Sequence, residues 1–193
     1  MARLRGAPLG TAGEAETEAR RAVVLALVAT LRPLVARIRE LTSEIAAAVR
    51  AHSDGEIFLS LFRDRKSTLT AACFVAELGD ERGRYPTDAA MAADSGQSPV
   101  AVESGKRKAA AFRWGCDKRL RDAVATLADA SRKHNPWARE VYRRARARGK
   151  DHPHAIRILG RAWIRVIWRM WQDGVPYDPA KHGGLQRLNP VGG

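Results

Sequence analysis

Apolar residues recur at Val24, Leu27, Leu31, Leu34, Ile38, Leu41, Ile45 and Ala48, in steps that alternate three and four. That spacing is the heptad seam of a coiled coil or helical hairpin. It predicts a long helix opening at Glu14, where Glu14, Glu16 and Glu18 meet the positive end of the helix dipole. Pro33 lies off the seam, so a kink is expected while the stripe stays intact.

Beyond a turn-like stretch at 52–56 and a short apolar segment, Ile57 to Phe62, the pattern predicts further helices. One runs from Thr68 to Leu78 and stops at Gly79-Asp80. A short Ala-rich helix through Ala93 follows the N-cap Thr87. Helix resumes from about Asp117 to His134, restarts at Asn135-Pro136, and runs through Trp137–Arg148 to Gly149. The last runs from about Pro153 to Asp173 and ends at Gly174. Residues 94–116 hold no helical period and read as a long polar loop, with Pro99 to Val102 as a short extended piece. No strand alternation stands out elsewhere. The expected fold is mainly α: a long N-terminal coiled-coil helix, then a compact helical domain with a long basic loop. The expected divisions are 1–13, a disordered or truncated start; 14–51, the arm; 52–177, the domain; and 178–193, a loose tail.

At 193 residues the chain is about one domain and at most two. Charge adds a partner to this picture. Lys and Arg total 34 against 21 Asp and Glu, a net of +13, which draws polyanions, nucleic acid first among them. An Ala- and Arg-rich composition of the kind a high-GC genome produces is the bland alternative. The basic residues fall into three sets. Lys106, Arg107, Lys108 and Arg113 lie on the loop, with Lys118, Arg119 and Arg121 opening the next helix. Arg139, Arg143, Arg146 and Lys150 form one face, and Arg157, Arg161, Arg165 and Arg169 form another. Trp114, Trp137 and Tyr142 among them are either base-stacking or core residues. Arg or Lys interrupts every apolar run, so no membrane span is expected. Cys73 and Cys116 are too few for a disulfide framework, which suits a cytoplasmic chain.

Common catalytic signatures are absent: no P-loop, no dinucleotide fingerprint, no His-Glu-x-x-His and no paired-cysteine metal site. His152-Pro153-His154 is a weak metal signal, and no cluster of Asp residues suits two Mg²⁺ ions. Ser104 is better placed than other serines. Gly105 leaves room for a phosphate, and Lys106-Arg107-Lys108 would stabilise the charge of a pentacoordinate phosphorane.

A set of ordered motifs carries a resemblance. Ala72-Cys73-Phe74-Val75-Ala76-Glu77-Leu78-Gly79-Asp80 is followed by Tyr85-Pro86-Thr87, by Ala93-Asp94-Ser95-Gly96-Gln97-Ser98-Pro99, and by Glu103-Ser104-Gly105-Lys106. Downstream come Arg113-Trp114-Gly115-Cys116-Asp117-Lys118-Arg119-Leu120-Arg121, then His134-Asn135-Pro136-Trp137, Arg146-Ala147-Arg148-Gly149-Lys150 and Gly174-Val175-Pro176-Tyr177-Asp178. Together they resemble the C-terminal half of transposases of the insertion-sequence-110 type, the Piv/MooV-like or DEDD transposases, over about residues 14–180. The resemblance implies DNA transposition and site-specific recombination. It makes Ser104 the nucleophile, in a composite site with an acidic RuvC-like domain that binds Mg²⁺. It also implies an arm that joins protomers into a homo-oligomer and, in some members, a guide RNA from the element.

Two departures stand out. Phe62-Arg63-Asp64-Arg65-Lys66-Ser67 replaces a Pro-Gly-x-Gly hairpin, and Cys116 stands where the family usually has Asn. The RuvC-like half is not in this sequence, so a truncated frame or an excerpt is expected, with Mg²⁺ confined to that other half. The site residues are then Ser104 as nucleophile, with Lys106, Arg107, Lys108, Arg113, Lys118, Arg119 and Arg121 against DNA. The alternative is a catalytically silent helical nucleic-acid-binding module or a transposase remnant.

Overall fold

The computed structural model describes residues 12–63, 67–104, 107–111 and 113–187, with the backbone alone for 101–104, 107–111 and 186. The fold is mainly helical, a long N-terminal helix followed by a compact helical domain. By internal packing the chain divides into two units, residues 1–44 and 45–193.

The first unit is the greater part of α1, Glu14–Ala51. The helix continues through Pro33, which withdraws one N–H from the ladder but leaves the flanking turns intact. The heptad seam lies open: Leu27, Leu34 and Ile38 are 57%, 54% and 62% exposed. Ion pairs Arg20–Glu16 and Arg37–Glu40 lie on the same helix, so local pairing and the acidic first turn support it.

In the second unit α2 (Gly55–Leu59) and α3 (Thr68–Leu78) lead through a 3₁₀ turn, Arg82–Arg84, to α4 (Asp88–Asp94). Strands β1 (Val100–Ser104) and β2 (Arg107–Ala111) come next. Then follow α5 (Lys118–Ser131), α6 (Pro136–Ala147) and α7 (His152–Asp173). Helix ends follow from local chemistry. Thr87, Asp117, Asn135 and Asp151 each accept a hydrogen bond from a backbone N–H of the first turn they cap. Gly174 closes α7 in the left-handed conformation, φ 66°.

Helix α7 is central, and α2, α4, α5 and α6 all pack on it. Leu159, Trp163, Ile164, Ile167 and Trp171 recur at helical spacing and are fully buried. They meet Leu120, Val124 and Leu127 of α5, while Phe74 of α3 stacks on Phe58 of α2 at 5.6 Å. The Trp163 indole donates to Ser131 Oγ at 2.9 Å, which satisfies the polar atom of a buried ring.

The structure differs from the sequence reading in two places. The segment read as a long basic loop contains an antiparallel hairpin, with Val100 opposite Ala111 and Ser104 opposite Arg107. In sequence its residues lack the apolar alternation of a half-buried strand, and the backbone ladder pairs them. The extended piece expected at Pro99 to Val102 is the start of β1. The segment after Tyr177, read as loose, holds a 3₁₀ turn at Pro179–Lys181 and a short helix α8, Gly183–Gln186. Its anchor is aromatic: His182 lies 4.3 Å from the Trp137 ring, and Tyr177 5.6 Å from Trp163.

Candidate nucleic-acid interface

The hairpin rises from a built base. After α4 the chain turns at Gly96, φ 66°, a conformation that glycine adopts without a Cβ penalty. The Gln97 and Ser98 N–H groups both donate to the Ala92 carbonyl, at 2.8 and 3.0 Å. On the returning side the Asp117 N–H donates to the Asp94 carbonyl at 2.7 Å, joining the two ends of the excursion. Asp117 also caps α5 through Leu120 N–H, so one residue closes the hairpin and starts the helix. The Asp94 carboxylate accepts from Tyr85 Oη at 2.5 Å. Burial, then that hydrogen bond, pushes the Tyr85 hydroxyl well above its ordinary range.

The expected DNA-facing residues fall around this base. Ser104 is the last residue of β1, and Arg107 and Lys108 open β2; of these only the backbone is described. Lys106 lies outside the described residues. Arg113 is half-buried just after the hairpin, and its Nε has no hydrogen-bond partner among the described residues. Lys118 and Arg119 are exposed on the first turn of α5, Arg119 within 3.5 Å of Glu77. Arg121 is half-buried and contacts Asp122 at 3.2 Å. Trp114 is 77% exposed beside them. Cys116, at the position of the family's Asn, packs under the turn: a Cβ on Gly96 would lie 2.8 Å from its Sγ.

The other two basic faces are largely committed within the protein. Arg143 and Arg144 both bind Glu140, and those hydrogen bonds, Arg143 first, hold its carboxyl down at about 2. Arg161 and Arg165 converge on Asp88 at 2.7 and 3.7 Å, and Arg169 pairs with Asp173 at 2.6 Å. Trp137 packs in the core rather than outside, and Tyr142 bonds His152. The clamp residues Asp94 and Asp117 escaped the sequence reading as site builders. Gly105-Lys106 between two short runs was the available hairpin signal. Among the described residues no group of three or more His, Cys, Asp or Glu is placed to hold a metal ion, and no helix is long and apolar enough to cross a membrane.

Residues 66–143, from the start of α3 through most of α6 and so including the whole hairpin, match the Transposase IS116/IS110/IS902 family. The chain carries a transposase domain of the IS116/IS110/IS902 family. It is 31% identical over 166 residues to the insertion element IS110 uncharacterized 43.6 kDa protein of Streptomyces coelicolor, covering 85% of this chain and 40% of that protein. It is 30% identical over 159 residues to the insertion element IS900 uncharacterized 42 kDa protein of Mycobacterium paratuberculosis, covering 82% and 39%. The chain thus spans about two fifths of the length of these relatives. The transposase domain's clamp, turn and hairpin all fall inside the matched segment.

Proposed function

We propose that this transposase domain acts in DNA transposition, holding DNA along the hairpin and the first turn of α5 and offering Ser104 as the attacking nucleophile. The observation that carries the reading is the register: Ser104 closes β1 directly opposite Arg107, at the end of a hairpin whose base is clamped by Asp94 and Asp117. A serine hydroxyl attacks phosphorus only where its proton is taken and the growing charge is met. In the step proposed, the Ser104 oxygen forms a bond to phosphorus, the phosphodiester bond to one strand breaks, and the Ser104 proton ends on the released hydroxyl. Arg107 and Lys108, with Lys106 between the strands in sequence, supply positive charge to the phosphate. Arg113, Lys118, Arg119 and Arg121 extend that charge along the base. By the resemblance, the carboxylates and Mg²⁺ of the reaction would be supplied by a RuvC-like domain.

The same reading gives α1 a partner. Its exposed seam is that of an interface, and a second copy of the arm supplies the matching heptads. A structured RNA from the element is a further polyanion for the same basic surface. The deciding experiment is Ser104→Ala in a full-length transposase containing this domain. DNA affinity should stay within about twofold, since a single oxygen is lost, while recombination and any covalent serine–DNA adduct disappear. Normal recombination by this variant would leave the domain as a binding module only.

A further inference from the structure

Away from the hairpin strip, α5 and the start of α7 enclose a groove of about 660 Å³. Its floor is apolar, with Ala125 and Ala130 of α5 facing Pro153 and Ile156 of α7. Gln97, three residues before β1, forms part of its wall, so the groove begins beside the hairpin base. Arg121, Lys133, His152 and Arg157 stand around it. The two acids on the rim are already neutralised. Asp122 meets Arg121 at 3.2 Å, and Asp129 meets Arg132 at 2.7 Å and Lys133 at 3.5 Å. Burial opposes ionisation of Asp129, yet the Arg132 hydrogen bond and charge hold its carboxyl below the ordinary range. The lining thus holds three cations, Arg121, Lys133 and Arg157, against the two acids Asp122 and Asp129, a small net positive charge over an apolar floor.

His152 makes contacts to both α6 and α5. Tyr142 Oη lies 2.9 Å from its Nδ1, and Asp129 Oδ1 lies 3.9 Å from its Nε2. The Arg132 guanidinium lies over the Tyr142 ring, 4.8 Å from its centroid. Asp129, Tyr142 and His152 thus come together from three helices, a grouping that no single stretch of sequence defines.

We propose that this groove seats an unpaired nucleic-acid strand, a second contact distinct from the hairpin surface. Unpaired nucleotides offer both a flat apolar face and a phosphate at each step, which an apolar floor under a cationic rim matches. A duplex turns a sugar–phosphate ridge outward and would leave the floor unused. The volume suits one or two nucleotides, within the range of small-ligand sites, with the rest of the strand running off either end. Strand exchange exposes unpaired DNA, so the inference rests on the reading that this domain handles nucleic acid in transposition.

The test uses the full chain and three fluorescent probes: oligothymidine, oligouridine and a blunt duplex. Lys133→Gln/Arg157→Gln removes two rim charges, and Arg37→Gln/Arg39→Gln removes two from the arm as a control. Circular dichroism melting checks that each variant folds as the parent does. The rim variant should lose about tenfold or more of its affinity for oligothymidine, oligouridine or both, with duplex affinity within about twofold and the arm control unchanged. The two single-stranded probes show which sugar the seat accepts. Unchanged single-strand binding, or equal weakening on single strand and duplex, overturns the groove assignment alone. A parent chain that binds neither form at low salt overturns the proposed function with it.

Discussion

Gly96 and Cys116 are pressed together at the foot of the hairpin: a Cβ at Gly96 would come 2.8 Å from the Cys116 sulfur. The contact exists because the Asp94 carbonyl and the Asp117 N–H, 2.7 Å apart, draw the two limbs of the excursion into one base. Gly96 also sits at φ 66°, where an added side chain is strained whatever its size. Gly96→Ala should therefore destabilise the domain by about 1–3 kcal/mol, read as a fall in Tm. Adding Cys116→Ala should recover part of the loss, because it removes the clash and leaves the strain. A Gly96→Ala protein that melts like the parent would show that this base does not hold the hairpin.

A second structural lock sits where α1 enters the domain. Asp54 is 5% exposed, and Arg82 reaches both of its oxygens at 2.6 Å while its guanidinium lies 4.5 Å over the Trp171 ring. Arg82→Ala would leave a buried carboxylate without its cation, a loss of about 3–5 kcal/mol, towards the lower value because Arg82 is itself partly exposed. Denaturant midpoints should show it. Arg82→Ala/Asp54→Asn should recover stability relative to Arg82→Ala, since no charge is then left unpaired.

The arm should self-associate through its seam. Burying a leucine contributes about 1.5–3 kcal/mol, so an interface built on Leu27, Leu31, Leu34, Ile38 and Leu41 easily outweighs the cost of pairing two helices. Leu34→Lys/Leu41→Lys places two charges in that seam, and sedimentation should then show a monomer where the parent is oligomeric. An unchanged oligomer would move the contact elsewhere.

His182 makes the C-terminal segment sensitive to acid. Its Nδ1 lies 2.7 Å from Tyr177 Oη and its ring rests on Trp137. Burial, and then the charge of Arg187, lowers its pKa below the ordinary 6.5. The unfolded segment then binds the proton more readily than the folded one, so stability is present above about pH 6.5 and declines as pH falls through the lowered value. Tryptophan fluorescence should report release of the segment as pH falls below about 6.5. In His182→Gln, which cannot titrate, that pH-dependent change should vanish.

Duplex binding should weaken with salt at a log–log slope of roughly −0.9 for each phosphate neutralised. Lys118→Gln/Arg119→Gln removes two exposed cations at the foot of the hairpin and should shallow that slope by about 2. A slope that does not change would place the duplex on another face.

Much of this architecture was legible in the residues alone because helix boundaries are local events. Gly79, Thr87, Asn135-Pro136 and Gly174 mark ends that the structure places within a residue or two, and the three-four alternation predicts α1 from Val24 to Ala48. Capping and periodicity depend on neighbours no more than a turn away. The hairpin was less legible, since Val100–Ser104 and Arg107–Ala111 show no apolar–polar alternation in sequence, and their pairing is supported by the clamp between Asp94 and Asp117. Nor does spacing reveal which arginines are already engaged. Arg157, Arg161, Arg165 and Arg169 form one stripe in sequence, but Arg161 and Arg165 turn to Asp88 on a helix more than seventy residues earlier. The groove carries the same lesson, since Asp129, Tyr142 and His152 come from three helices. The chain's own order specifies its helices, its charge and its family motifs; only packing around α7 decides which of those charges face inward, because ion pairing is settled by distance in space and not along the chain.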